Sequence, residues 1–352
     1  MDIWMANSAI IPPLTRRKKI VLALFSFLLL TALLAVTAET VLRLRGFQPW
    51  QVSDPQIKVY PGGKLYNRHP TLGYIHIPGD FTVTLGDGYS FHMTHLPNTL
   101  RITHPLATYN EMRPQKEIWI FGCSLTYGWS LNNHETYPWL LQERFPEYEV
   151  VNFGVSGYGT IHSLIQLREA LQTGRVPALI ILAYAGFHEE RNVFLRNAQK
   201  IYAVYNKLGP GVYPYARLET NGMLSYHVTD LNYREFPLMR YSALSHFLEQ
   251  IYNNWEANYY HTRQVSEALI IEMAGLARKN GIPFVVAGIV ASPGTSRMLS
   301  LVQQQGFKAV DISVDLNIKE NNNLPHDLHP SAGANRQYAD KLAAFLRAEV
   351  LP

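Results

Sequence analysis

The chain has 352 residues, 47% of them apolar and 16% charged, so a substantial core is expected and global disorder is excluded. A net charge of +4, dispersed except at Arg16, Arg17, Lys18 and Lys19, argues against a nucleic-acid partner. The single cysteine, Cys123, excludes an internal disulfide and any multi-cysteine metal site.

The basic cluster precedes nineteen uncharged residues, Ile20 to Ala38. As a helix they span roughly 28 Å at ~1.5 Å per residue, close to the ~30 Å hydrocarbon core of a bilayer. Basic residues on the amino-terminal side predict a cytoplasmic tail over 1–19, a transmembrane signal anchor over 20–38, and an extracytoplasmic remainder from Glu39. A cleaved signal peptide competes with this, because Val36-Thr37-Ala38 offers small residues at a cleavage point. The apolar run is longer than the ~7–15 residues of such peptides, which favours the anchor.

Residues 47–113 read as short strands and turns, with alternation in Phe81-Thr82-Val83-Thr84-Leu85 followed by a Gly-Asp-Gly turn. A small β-rich subdomain is expected there. It carries five of the thirteen histidines, including His92 and His95. No carboxylate or cysteine is spaced to complete a metal site with them, so they are expected as polar strand residues.

From residue 115 to the carboxyl terminus the pattern changes. Apolar strand candidates at Ile118–Phe121, Glu149–Phe153, Ala178–Tyr184, Pro283–Ile289 and Ala309–Val314 alternate with amphipathic stretches at Tyr137–Phe145, His162–Thr173, Val265–Asn280 and Ser296–Gln305. Strands this apolar, each followed by a helix, predict an α/β fold with a parallel sheet covered on both faces. No phosphate-cradling glycine motif follows any of them, so no nucleotide cofactor is expected. One insertion, residues 193–262, interrupts the alternation and holds ten of the 21 tyrosines. It reads as a helical element packed by its own aromatics, or as a lid whose rings contact a substrate.

Polar and glycine-rich segments follow the strands. Gly122-Cys123-Ser124 follows the first, Asn152 to Gly159 the second, Gly186 to Asn192 the third, and Asp327, His329 and Pro330 precede the final amphipathic stretch. In an open parallel sheet all four converge on the carboxyl edge, where ligands bind. Serine needs a base to take its proton, which His329 can supply, and Asp327 can orient that imidazole. A tetrahedral oxyanion needs donors at ~2.7–3.1 Å, and the amides of Ser124 and Gly157 are candidates. Cys123 is expected to be a small buried residue pointing away from the site.

In these blocks the chain resembles the SGNH, or GDSL-like, hydrolases. "GCSLTYG" is similar to the nucleophile block, "NFGVSGYGT" to the glycine block, and "DLHPSAGANRQYA" to the closing D-x-H-P block. The resemblance spans residues 115–352 apart from the insertion, and implies a three-layer α/β/α fold. Carried over residue by residue, it makes Ser124 the nucleophile and first oxyanion amide, Gly157 the second amide, and Asp327 and His329 the rest of the triad. The family's third block ends in G-x-N-D, whose asparagine donates to the oxyanion; here His188 stands in its place, and a ring N–H can donate the same bond. Asn192 is a nearby substitute. Asp327 lies two residues before His329, where the commoner spacing of three would select His326. No metal and no cofactor are implied. The expected function is an exported, membrane-anchored serine esterase that de-acylates an ester, on an extracytoplasmic glycan, through an acyl-serine. The alternatives are an acyltransferase using the same triad and a non-catalytic glycan-binding module. The implied partners are an acylated glycan or other ester and the membrane, with no nucleic acid.

Overall fold

The computed structural model describes residues 15–52, 55–109 and 116–351. Residues 1–14 of the expected tail, and 53–54 and 110–115 in and beside the expected β-rich segment, lie outside the described residues. Two compact units are present, residues 1–52 with 235–252, and residues 53–234 with 253–352.

The first unit is dominated by helix α1 (Arg16–Leu44), which has no buried residue and a mean hydropathy of 2.7 over its most apolar stretch. It is long and apolar enough to cross a membrane. Its threonines do not oppose that: the hydroxyls of Thr31 and Thr37 donate 2.8 Å bonds to the carbonyls of Phe27 and Leu33 within the helix. Residues 235–252 of this unit include the start of helix α8 (Ala243–Tyr259).

The second unit begins with short antiparallel strands. β1 (Lys58–Tyr60), β4 (Gly79–Thr84) and β5 (Ser90–His95) form one sheet, and β2 (Tyr66–His69) pairs with β3 (Gly73–His76). β4 and β5 are joined through the expected turn, where the Asp87 carboxylate accepts the Tyr89 amide. After the short α2 (Leu106–Tyr109) the chain enters a five-stranded parallel sheet: β6 (Lys116–Phe121), β7 (Tyr148–Asn152), β8 (Leu179–Tyr184), β11 (Phe284–Gly288) and β12 (Lys308–Asp311). The order across the sheet is β12-β11-β8-β6-β7. The winding direction therefore reverses beside β6, and a crevice opens between the carboxyl ends of β6 and β8.

Strand period sorts the core into two layers. Trp119, Phe121, Ile180, Leu182 and Val286 face α5 (Thr160–Gln172), α9 (Thr262–Lys279) and α10 (Pro293–Gln304). Ile118, Ile120, Leu179, Ile181 and Val285 face α4 (Tyr137–Arg144) and α11 (Ala332–Glu349). All ten of these strand residues are fully buried or nearly so, which is why the strands read as continuous apolar runs. The last strand ends earlier than expected, at Asp311, because its carboxylate accepts the Ser313 amide at 2.9 Å and turns the chain.

The insertion is mixed, with helices α7 (Arg196–Tyr202) and α8 on either side of a β-hairpin. After the short α6 (His188–Asn192) and α7 it forms this hairpin, β9 (Val212–Leu218) with β10 (Leu224–Asp230). Pro214 is accommodated because this is a two-stranded ribbon whose strands are both edges. Tyr213 of β9 is fully buried and donates to the Gly157 carbonyl at 2.7 Å, which ties the hairpin to the sheet edge.

Two histidines of the β-rich segment, His76 and His95, serve in packing. His76 stacks on His95 at 4.2 Å and on Tyr127 at 4.5 Å, and the His95 Nε2 meets the Tyr127 hydroxyl at 2.7 Å. Among the described residues no group of three or more metal-ligating side chains converges. Burial pushes His76 well below its ordinary value and His95 down to about 3, so both rings fold neutral. An unfolded histidine titrates near ~6.5, so this stability is fully present above that pH and is lost as the pH falls from there toward the folded values. Urea midpoints should fall between pH 7 and pH 5, each such ring contributing up to ~1.4 kcal/mol per pH unit. A midpoint unchanged across that window would show that these rings fold protonated.

Candidate active site

β6 ends at Phe121, and the chain turns through Gly122, where a Cβ would lie 2.1 Å from the Thr126 hydroxyl. Only glycine fits that approach. The short helix α3 (Ser124–Tyr127) follows, which sets Ser124 at the crevice while Cys123 turns into the α4/α11 side of the core. The thiol is fully buried, and it also interacts with the Arg191 guanidinium, so it does not simply turn away from the site as the sequence suggests.

His329 approaches from the loop before α11. Its Nε2 lies 3.0 Å from Ser124 Oγ, and its Nδ1 lies 2.5 Å from Asp327 Oδ1. The same carboxylate oxygen accepts the His329 amide at 2.6 Å. Two further donors hold Asp327, the Trp129 indole at 3.2 Å and the Ser130 hydroxyl at 3.4 Å. Burial pushes this carboxyl up, but the His329 and Trp129 hydrogen bonds outweigh it and leave it below the usual range. Asp327 is therefore an anion that fixes the histidine tautomer with the proton on Nδ1 and leaves Nε2 to face the serine. His326 instead pairs with Asp87 and stacks on Tyr89, both away from Ser124.

Gly157 lines the same cavity with a φ of +86°, and a Cβ there would strike the Tyr74 hydroxyl at 2.5 Å. Among the described residues no chain acceptor takes the amide of Ser124 or of Gly157. Both stand available as donors. The cavity is about 170 Å³, and its wall includes Tyr66, Tyr74, Trp129, Arg191, Tyr202 and Tyr205 along with Ser124, Gly157 and His329.

His188 is not brought to that wall. Its ring is fully buried against Tyr184 and Phe187, its Nδ1 is 3.5 Å from the Thr160 hydroxyl, and Nε2 has no partner. The expectation that it donates to an oxyanion is corrected on this point: α6 begins at residue 188 and turns the ring into the core. One turn further along, Arg191 reaches the cavity instead. Its guanidinium donates to the Tyr158 carbonyl at 3.0 Å, packs on Phe187 and Tyr202, and pairs with no carboxylate among the described residues. Asn192 is spent elsewhere, accepting from the Ile161 amide and donating to Ser266.

Sequence reasoning missed the residue that holds this site in place. Arg101 is buried at 1% exposure and pairs with no carboxylate among the described residues. Its Nη1 donates to the carbonyls of Tyr127 and Gly128 at 2.9 and 2.6 Å, and Nη2 to that of Leu131 at 2.7 Å. Burial pulls it down to about 10, so it stays a cation at neutral pH. The only signal in the sequence is one arginine inside the apolar stretch "NTLRITHP".

No family model and no curated protein matches the chain. Among solved structures it is similar to TesA, at 15% identity and a TM-score of 0.40 over 66% of this chain and 99% of that one. It is similar to AlinE4, an SGNH-hydrolase family esterase, at 17% identity and a TM-score of 0.32 over 68% and 99%. A family two carbohydrate esterase from Clostridium thermocellum aligns at 9% identity and a TM-score of 0.38 over 68% of this chain and 65% of that one.

Replacing Arg101 by methionine would leave the buried carbonyls of Tyr127 and Leu131 without a donor and that of Gly128 with only the Leu131 amide at 3.3 Å. The expected loss is on the order of 3 kcal/mol or more, read as a lower thermal midpoint. Trp129→Phe removes the indole donor to Asp327 and part of one buried ring, and should cost less stability than loss of the three Arg101 bonds. Equal thermal midpoints for the two variants would show that Arg101 is not the clamp described.

Proposed function

We propose that the chain is an exported, membrane-anchored serine esterase of the SGNH type that removes a short acyl group from an extracytoplasmic glycan. The observation that carries this reading is one hydrogen-bonded chain, Ser124 Oγ to His329 Nε2 at 3.0 Å and His329 Nδ1 to Asp327 Oδ1 at 2.5 Å, opening on a cavity with two uncommitted amides. Tyrosine faces around that cavity suit a sugar ring, and its small volume suits a short acyl chain. Export and anchoring are supported by α1 and by the basic cluster at its amino-terminal end.

Catalysis would proceed by acyl transfer to Ser124. The hydroxyl oxygen adds to the ester carbonyl carbon as His329 Nε2 takes its proton, and Asp327 stabilises the resulting imidazolium. The carbonyl oxygen becomes an oxyanion that accepts from the amides of Ser124 and Gly157. The Arg191 guanidinium supplies the third donor, a cation without a carboxylate partner facing a developing negative charge. Collapse breaks the bond to the sugar oxygen, which leaves with the proton from His329. Water, deprotonated by the same imidazole, then attacks the acyl-serine and releases the acid.

A fluorophosphonate should label Ser124, and Ser124→Ala should abolish labelling. Label that persists in the variant, or that maps to Cys123, ends the esterase reading.

The two candidate third donors separate in kinetics. Arg191→Met should lower kcat by ~10²–10³ with little change in KM, as for loss of one oxyanion donor. His188→Asn should leave kcat within a few-fold of the parent. The opposite ranking on a small acetyl ester would return the role to His188.

A further inference from the structure

α8 is built inside out for a soluble helix. Its apolar positions recur at Leu244, Phe247, Leu248, Ile251, Tyr252, Trp255 and Tyr259, the spacing of one helical face. Six of these are exposed, with Leu248 and Ile251 at 50%, Trp255 at 52% and Tyr259 at 60%. The buried positions of the same helix include Glu249 and Glu256. The ordinary arrangement places acids in water and the stripe in the core. Here the stripe faces out.

The start of this helix is tied to the end of α1. Glu39, the first residue beyond the Ile20–Ala38 apolar run, accepts the amides of Ala243 and Leu244 at 3.0 and 2.8 Å and the Ser242 hydroxyl at 2.8 Å. It thereby caps α8 in trans. Arg43, one turn later in α1, donates to the Tyr241 carbonyl at 2.7 Å and to Glu39 at 2.6 Å. Phe47 packs edge-on against Phe247 at 5.6 Å, and Gln48 gives its carbonyl to His246 at 2.8 Å. These bonds fix the beginning of α8 next to the point where the apolar part of α1 ends. Leu238 and Tyr241, at 69% and 77% exposure, extend the same exposed apolar surface ahead of the helix.

We propose that α8 is a membrane-interfacial helix whose stripe of Leu248, Ile251, Tyr252, Trp255 and Tyr259 lies in the headgroup and upper acyl region of the leaflet from which α1 emerges. The proposal rests on the reading of α1 as a membrane span. The occupant it commits to is lipid, because the stripe is bonded to the residue that closes an apolar run of membrane length. Its composition fits that depth as well: tryptophan and tyrosine collect at the membrane–water boundary, where the ring is apolar and its N–H or O–H stays wet. An amphipathic helix lying in this plane buries its apolar face about 5–10 Å into the boundary.

The test uses the full chain in lipid nanodiscs, with single cysteines carrying a nitroxide at Leu248 or Ile251 on the stripe. Gln250 and Asn254, exposed on the same helix but off the stripe, supply controls, and Leu29 reports on α1. Native Cys123 is fully buried and takes no label. Power saturation is read against oxygen, which concentrates in lipid, and a water-soluble nickel chelate. Labels at Leu248 and Ile251 should be relaxed more by oxygen, and those at Gln250 and Asn254 more by nickel. Nickel-dominated relaxation at Leu248 and Ile251, with Leu29 in hydrocarbon, overturns the interfacial helix and leaves the anchor intact. Nickel dominance at Leu29 as well overturns both. Dipolar broadening confined to the stripe would assign it to a second copy of the chain and overturn the lipid assignment.

Discussion

The site depends on a buried cation that performs no chemistry. Arg101 carries its charge into the interior and pairs with no carboxylate among the described residues; it is offset by backbone carbonyls at Tyr127, Gly128 and Leu131. Those three residues bracket the turn that follows the nucleophile helix. Trp129 and Ser130, inside the same turn, are the residues that donate to Asp327. A single guanidinium therefore sets the path of the chain on which the orientation of Asp327 rests, and through Asp327 the tautomer of His329. Ser130 adopts a φ of +60°, uncommon for a residue with a side chain, and the clamp beside it helps to hold that conformation.

The proposed triad and the rings around its cavity come from different parts of the second unit. The doubly wound core supplies Ser124, Gly157 and His329 from the carboxyl edge of the sheet, as the reversal of winding beside β6 requires. The rings around them come from outside that core. Tyr66 and Tyr74 belong to β2 and β3, and Tyr202 and Tyr205 to the insertion. Tyr74 donates to the Ser156 carbonyl at 2.8 Å while Tyr213 donates to that of Gly157, so the additions also shape the backbone that presents the Gly157 amide. Selectivity can change in these segments without moving the nucleophile or its base.

The core was legible because β8 and β11 are buried along their whole length and β6 over its last four residues, which leaves continuous apolar runs. The positions of Ser124, Asp327 and His329 were legible because Ser124 follows a buried strand and the other two lie in the loop just ahead of α11. Arg101 was not, since one arginine in a β-like run reads as an exposed strand position until the carbonyls it meets are known. His188 and Arg191 lie on neighbouring faces of the short α6, so spacing alone does not say which of them meets the cavity: the His188 ring turns into the core and the longer Arg191 reaches the wall. The hairpin at Val212–Asp230 was obscured by Pro214, which argues against a central strand and is harmless in a two-stranded ribbon. The outward stripe of α8 has the same periodicity as an inward one, and sequence spacing carries no sign that distinguishes them.

The two-residue spacing between Asp327 and His329 has a mechanical consequence. One oxygen of the acid receives both the ring Nδ1–H and the main-chain amide of the base, so the pair closes a small loop on itself. A base held by a carboxylate from a distant strand would lose its aim whenever the two segments shifted apart. Here acid and base ride on the same turn of chain, and displacement of that turn carries them together with their mutual geometry preserved. The coordinate left free to vary is the reach from this preassembled unit to the serine across the cleft. A shift of this turn would change the 3.0 Å approach between Ser124 and His329 while leaving the Asp327–His329 pair intact.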